Sequence, residues 1–112
     1  MRRGEIYFVA LDRVIGSETG KTRPALVLQN DLANRSSPTV TVVPISSRVD
    51  RVYPFQVRIR AGEGGLPQES KALCEQIRTV SRQRLGRRLG ELSAERLLEI
   101  RLALEHHLWL SP

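Results

Sequence analysis

One stretch of the chain gathers residue types that can meet an anion: Gly16-Ser17-Glu18-Thr19-Gly20-Lys21-Thr22-Arg23-Pro24. Two glycines let the backbone turn, and three hydroxyl residues, one carboxylate and two cations sit among them. Pro24 fixes its own φ and biases Arg23 away from the helical region. The run that follows, Ala25-Leu26-Val27-Leu28-Gln29, reads as a buried strand. Arg23 is therefore expected where a polar loop meets a rigid strand, with its guanidinium at the strand mouth. Its alternative role is a structural ion pair with Glu18 or a bond to a backbone carbonyl. A second group, Ser46-Ser47-Arg48, closes a Thr/Val-rich run with two hydroxyls and a cation. Here the competing reading is a strand-end hydroxyl bonded to its own backbone.

The chain has 112 residues, which predicts one domain over 1–112, with a β part to about residue 85 and a helix at about 93–109. Apolar residues make up 40% but aromatics only 4%, so Val, Leu and Ile must fill the core. No run approaches the roughly 18 apolar residues of a membrane span, and Met1-Arg2-Arg3-Gly4 has no apolar segment behind it. The single cysteine, Cys74, excludes an internal disulfide and suggests a reducing cytoplasm. With one cysteine and the adjacent pair His106-His107, a zinc site would have to recruit carboxylates. Chemistry without metal or cofactor is the expectation. The net charge is +6 and the pI near 10.7. Nearly all of the positive charge is arginine, whose planar fork suits phosphates and bases, although a GC-rich genome would also write Arg for Lys.

The elements that must position these groups are mostly short strands. Glu5–Leu11 reads as a first strand covered on both faces, and Ala25–Gln29 as the second. Asn30–Pro38 is turn chemistry. Thr39–Ile45 is a third strand, whose Pro44 argues for an edge or a strand end. Phe55–Arg60 alternates, with Phe55, Val57 and Ile59 in and Gln56, Arg58 and Arg60 out. The glycine-rich Gly62-Glu63-Gly64-Gly65 lacks a following helix and a Gly-Lys-Ser/Thr ending, so it reads as a flexible loop and not a phosphate loop. Lys71–Cys74 and Gln76–Val80 are short strand candidates.

Ser93 to about Trp109 is a helix. Ser93 is its N-cap, Leu92 staples onto Leu97, and Arg96 stands where a capping box would place Glu. Leu97, Ile100, Leu104 and Leu108 line one face; Leu98, Leu102 and Trp109 widen it, with Arg96, Glu99 and Glu105 outside. Several strands followed by one terminal helix predict a small, strongly bent sheet or barrel with the helix packed on it.

Further candidates lie along these elements. Gln76 and Arg78, alternating around Ile77, can face one side for base or phosphate contact. Arg82, Arg84, Arg87 and Arg88 read as a solvated linker. Tyr53 and Phe55 flank Pro54 beside cations; Phe55 alternates with core residues, so Tyr53 is the freer ring for base stacking. His106 and His107 lie about 100° apart on a helix and cannot both face one phosphate, so they are rejected as a catalytic pair.

Six short motifs in order carry a family resemblance: Arg3-Gly4-Glu5-Ile6-Tyr7, Gly16-Ser17-Glu18, Arg23-Pro24-Ala25-Leu26-Val27, Gln29-Asn30-Asp31, Val43-Pro44-Ile45-Ser46 and Glu75-Gln76-Ile77-Arg78. Together they resemble the MazF/PemK toxin endoribonucleases from the first residues to about residue 85. The resemblance implies an SH3-like (CcdB/PemK-type) bent barrel with a C-terminal helix, a homodimer, and metal-independent cleavage of single-stranded RNA. It also implies a MazE-like antitoxin whose acidic C-terminal segment fills the RNA groove. The family's catalytic arginine falls on Arg23, and its catalytic hydroxyl, usually threonine, on Ser46, with Ser47 the alternative one residue on.

RNA brings its own nucleophile, the 2′-OH, to the scissile phosphate. Arg23 suits the phosphoryl oxygens and Ser46 can add a hydrogen bond. Glu18 is a better base than an arginine whose pKa lies above about 12. Ser17, Lys21, Thr22, Ser47, Arg48, Tyr53, Gln76 and Arg78 complete the expected RNA contacts. Two other classes fit the same features: a non-catalytic protein poison like the gyrase-directed CcdB toxins, and a plain SH3-like nucleic-acid-binding module.

Overall fold

The structure, a computed structural model, describes residues 1–11 and 21–110. The loop residues Ser17 and Glu18 lie outside the described residues. Seven strands, β1 (Glu5–Leu11), β2 (Lys21–Val27), β3 (Thr39–Ser46), β4 (Gln56–Ile59), β5 (Ser70–Leu73), β6 (Arg78–Ser81) and β7 (Leu85–Glu91), form an antiparallel sheet ordered β4-β5-β3-β2-β1-β7. β6 pairs with the first half of β3, and β5 with its last residues. The expected mainly β fold with a terminal helix is therefore present. The sheet bends without closing, because β4 and β7 remain its two ends.

Several boundaries differ from the sequence reading, each for a tertiary reason. β2 starts at Lys21, four residues early, because Lys21–Pro24 pair with Phe8–Leu11 of β1. Asn30–Pro38 contains a short helix, α1 (Asp31–Ser36), whose start is capped by Asn30 Oδ1 accepting from Ala33 N–H at 2.9 Å. Pro44 sits inside a central strand and not on an edge. It is tolerated there because the edge of β3 shared by β6 and β5 skips Val43 and Pro44. The basic run Arg82–Arg88 is not a linker: after a 3-10 turn at Arg82–Arg84 it becomes β7, paired with β1. Gly62–Gly65 is not a flexible loop either. Gly65, at φ 75°, lies so close to β7 that a Cβ there would come within 1.9 Å of the Leu89 carbonyl oxygen.

Alternate residues of the strands make two cores. Ile6, Leu26, Val43, Ile45, Ala72, Val57 and Ile59 face the terminal helix α2 (Ala94–Leu108) and pack on its Ile100, Ala103 and Leu104. Val9, Leu11, Ala25, Val27, Val40, Val42 and Val80 form a second cluster on the opposite face. Ser93 caps α2 as expected, with Oγ accepting from Arg96 N–H at 3.2 Å, and Leu92 and Leu97 join the first core. Arg96 does not lie outside: it reaches Glu63 at 3.0 Å and Glu99 at 3.1 Å, tying the helix to the glycine turn. The apolar face of α2 is narrower than its sequence implies, since Leu98, Leu102, Leu108 and Trp109 are exposed. Phe55 is only half-buried whereas Gln56 is buried, the reverse of the alternation expected there.

Candidate active site on the open sheet face

The β2–β3 ladder pairs Val27 with Val42, Leu26 with Val43 and Ala25 with Pro44, and then ends. Continued by two residues beyond the last pair, the same register would set Arg23 opposite Ser46. Arg23 is thus within β2, paired with Val9 of β1, and not at the mouth of a strand. Its rigidity comes from that pairing and from Pro24 behind it. Residues directly opposite in a ladder share a face, as do alternate residues of a strand. Arg23 therefore lies on the face of Ala25 and Val27. On the same criterion Pro44 and Ser46 join it from β3, Arg78 through its pairing with Val42, and Lys71 through its pairing with Ser46. Arg58 and Gln56 follow through the β4–β5 ladder. This face thus gathers Lys21, Arg23, Arg58, Arg78, Lys71, Ser46 and Gln56 alongside the second apolar cluster, with Arg88 at its β1 end.

Ser46 ends β3 and is half-buried. Its Oγ accepts from the Arg48 N–H at 3.1 Å, which orients the hydroxyl and leaves its proton to donate. The backbone-bonded alternative is therefore realised, in a form compatible with a role as donor. Ser47 and Arg48 are exposed just beyond. Lys21 is exposed at the start of β2 with φ 62°, and Thr22, opposite Ala10, turns to the other face from Arg23. The alternation expected of Gln76 and Arg78 does not occur: Gln76 closes a 3-10 turn (Cys74–Gln76), and β6 begins at Arg78. Both are half-buried.

Tyr53 is exposed and stacks parallel to Phe55, with ring centroids 5.4 Å apart and an interplanar angle of 3°. The Arg51 guanidinium lies over Tyr53, 5.7 Å from the ring centroid, and donates to its hydroxyl at 3.2 Å. His107 touches the other end of this stack through Phe55, which gives it a packing role. Lys71, Gln56 and Glu75 were not among the expected contacts, and Arg51 entered only as a cation beside Tyr53. Gln56 Nε2 donates to Glu75 Oε2 at 2.7 Å, Arg58 pairs with Glu69, and Lys71 Nζ donates to the Arg51 carbonyl at 2.6 Å. The one available signal was a lysine heading an otherwise apolar strand.

At the β1 end of this same face, Glu5 is buried under Arg88. Burial pushes its carboxyl up, but bonds from Arg88 Nε, the Arg2 amide and the Tyr7 hydroxyl outweigh that and hold it below the ordinary range. The Cys74 thiol is pushed up to about 12 by burial and by the Glu75 charge, so it is an inert core residue. Among the described residues, no three His, Cys, Asp or Glu side chains gather as a metal site, and no helix is long and apolar enough to cross a membrane.

The chain is thus an open antiparallel sheet backed by one helix, with Arg23 and Ser46 on a basic face. Residues 2–108 match the family described as PemK-like, MazF-like toxin of type II toxin-antitoxin system, and the chain belongs to that family. It is 45% identical over 113 residues to the endoribonuclease MazF9 of Mycobacterium tuberculosis, covering 96% of each chain. It is 41% identical over 106 residues to the endoribonuclease EndoA of Bacillus subtilis, covering 94% of this chain and 91% of that one. Its fold superposes with a TM-score of 0.81 on an endoribonuclease from a mycobacterial species in complex with its cognate antitoxin, at 25% identity, covering 100% of this chain and 98% of the other.

Proposed function

We propose that this protein is a toxin endoribonuclease that cuts single-stranded RNA through the RNA's own 2′-hydroxyl. The observation that carries this reading is that Arg23 and Ser46 each lie two residues beyond the last β2–β3 pair, Ala25 with Pro44, on one face of the sheet. A nucleic-acid-binding module needs the charge but not an oriented hydroxyl sharing a face with an arginine, and the relatives are named endoribonucleases. The guanidinium donates two charge-assisted bonds to the non-bridging oxygens of the scissile phosphate, and Ser46 adds a third donor. The 2′-oxygen forms a bond to phosphorus as the bond to the 5′-oxygen breaks. The 2′-hydroxyl proton passes to a base, for which Glu18 is the carboxylate nearest in sequence, and the departing 5′-oxygen takes up a proton. The products are a 2′,3′-cyclic phosphate and a 5′-hydroxyl. Lys21, Thr22, Ser47, Arg48, Tyr53, Gln76 and Arg78 are read as RNA contacts, with Ser17 beside Glu18.

The same basic face suits an acidic segment of a MazE-like antitoxin, which would exclude RNA from it. We read the working form as a cytoplasmic homodimer. Incubation with mixed-sequence RNA in excess EDTA tests the mechanism: cutting should persist, and the fragments should carry 2′,3′-cyclic phosphate ends. Loss of cutting on chelation with recovery in magnesium, or 3′-hydroxyl ends, would refute it.

A further inference from the structure

The connection between β3 and β4, residues 47–55, carries both Arg51 and Tyr53, and two buried polar side chains hold its backbone. Lys71 of β5, 9% exposed, donates from Nζ to the Arg51 carbonyl at 2.6 Å. Gln56 of β4, 8% exposed, accepts from the Tyr53 N–H at 3.1 Å and is itself held by Glu75 at 2.7 Å. Backbone groups of Arg51 and Tyr53 are thus fastened from below, while the two side chains lie exposed as a cation over a ring, backed by Phe55 and His107. Lys71 is also the register partner of Ser46, so one residue joins the candidate hydroxyl to this stack.

The chemistry of Lys71 is out of keeping with a purely structural role. It is one of only two lysines in the chain. Burying a lysine side chain to hold a single neutral carbonyl is costly, and an apolar side chain at this position would avoid that penalty. Among the described residues no carboxylate pairs with it. What it secures is the position of the connection. We propose that Lys71 is a positioning residue for RNA recognition: by holding the Arg51 carbonyl it fixes Tyr53 and Arg51 as a flat surface on which one base stacks, in the strand whose phosphate meets Arg23 and Ser46. This rests on the endoribonuclease reading.

The test uses the full chain and an RNA oligonucleotide containing a cleavage site mapped on mixed-sequence RNA. Lys71→Met should raise KM about tenfold, the scale of one stacked base, with kcat changed less than about twofold. Tyr53→Leu should do the same, and the double variant should be no worse than either single one, because both remove the same surface. In an abasic scan of the oligonucleotide, one position should cost wild type affinity and cost Lys71→Met nothing further. Should Lys71→Met fail to fold, Lys71→Gln, whose amide is too short to reach the Arg51 carbonyl, carries the same expectations. Additive effects, or a salt slope reduced by about 0.7, would show that Lys71 meets a phosphate directly and overturn the inference. An unchanged KM in a folded variant would overturn it too. A wild-type chain that cuts no RNA would count against the endoribonuclease reading, whereas normal cutting with insensitive Lys71 variants would count against this inference alone.

Discussion

The two faces of the sheet are made from alternate residues of the same strands, yet they serve opposite ends. On one, Leu26, Val43, Ile45, Val57 and Ile59 are sealed beneath α2, and the Arg96–Glu63 pair fastens the cover to the glycine turn. On the other, the apolar cluster takes Val9 and Leu11 from β1, Ala25 and Val27 from β2 and Val40 and Val42 from β3, and Arg23, Ser46, Lys71 and Arg58 share its face farther along the sheet. The register that buries Leu26 must present Ala25 and Arg23 to the opposite side, because the side-chain period of a strand is two. The stability of the helical face and the placement of the catalytic candidates are thus one commitment of the backbone.

If the faces divide the work in this way, variants should separate cleanly into chemical and structural effects. The largest is expected at Arg23. Arg23→Ala removes a charge and two donors and should lower the single-turnover cleavage rate by at least 10²–10³-fold, the order seen for one preorganised donor. Arg23→Lys should recover little, since an ammonium cannot span two oxygens. Near-normal cleavage by folded Arg23→Ala would end the distinction between the faces. Ile100→Ala, on the sealed face, should lower stability by about 2–5 kcal/mol in denaturant unfolding while leaving cleavage per folded molecule unchanged.

A smaller effect is expected at Ser46. Ser46→Ala should slow cleavage by about ten- to a hundredfold, the range of one hydrogen bond to a charged group, with RNA affinity little changed. Ser46→Thr should keep the activity; a silent Ser46→Ala beside a damaging Ser47→Ala would shift the hydroxyl by one residue. The smallest effect belongs to Glu5, on the open face but four residues along β1 from Val9, the partner of Arg23. Its folded pKa is lowered, so its contribution is present above the ordinary carboxylate value and lost as pH falls through the folded one. Glu5→Gln should therefore reduce stability at neutral pH and flatten its decline in acid, read as thermal midpoints across pH; an unchanged acid limb would show that the Arg88 pair is incidental.

Local signals in the sequence settled what depends on nearest neighbours. The bounds of β1 at Glu5–Leu11, the Ser93 cap of α2 and the strand at Thr39 were all legible, because apolar period and capping chemistry act within a few residues. Arg23 and Ser46 were legible as candidates through their motifs, though not as residues of one face. That they share a face follows only from the β2–β3 register, through Ala25 and Pro44. Tertiary pairing also decided the elements whose own composition argues against them. The arginine- and glycine-rich β7 is a strand because β1 offers it an edge, and Lys21–Pro24 are extended because Phe8–Leu11 lie alongside. Such pairing overrides β-propensity, which mostly reports fit to a neighbouring strand. The same holds for Lys71 and Gln56, polar residues that no pattern would bury: each is buried because a backbone group of residues 51–53, up to twenty positions away, supplies the partner it bonds.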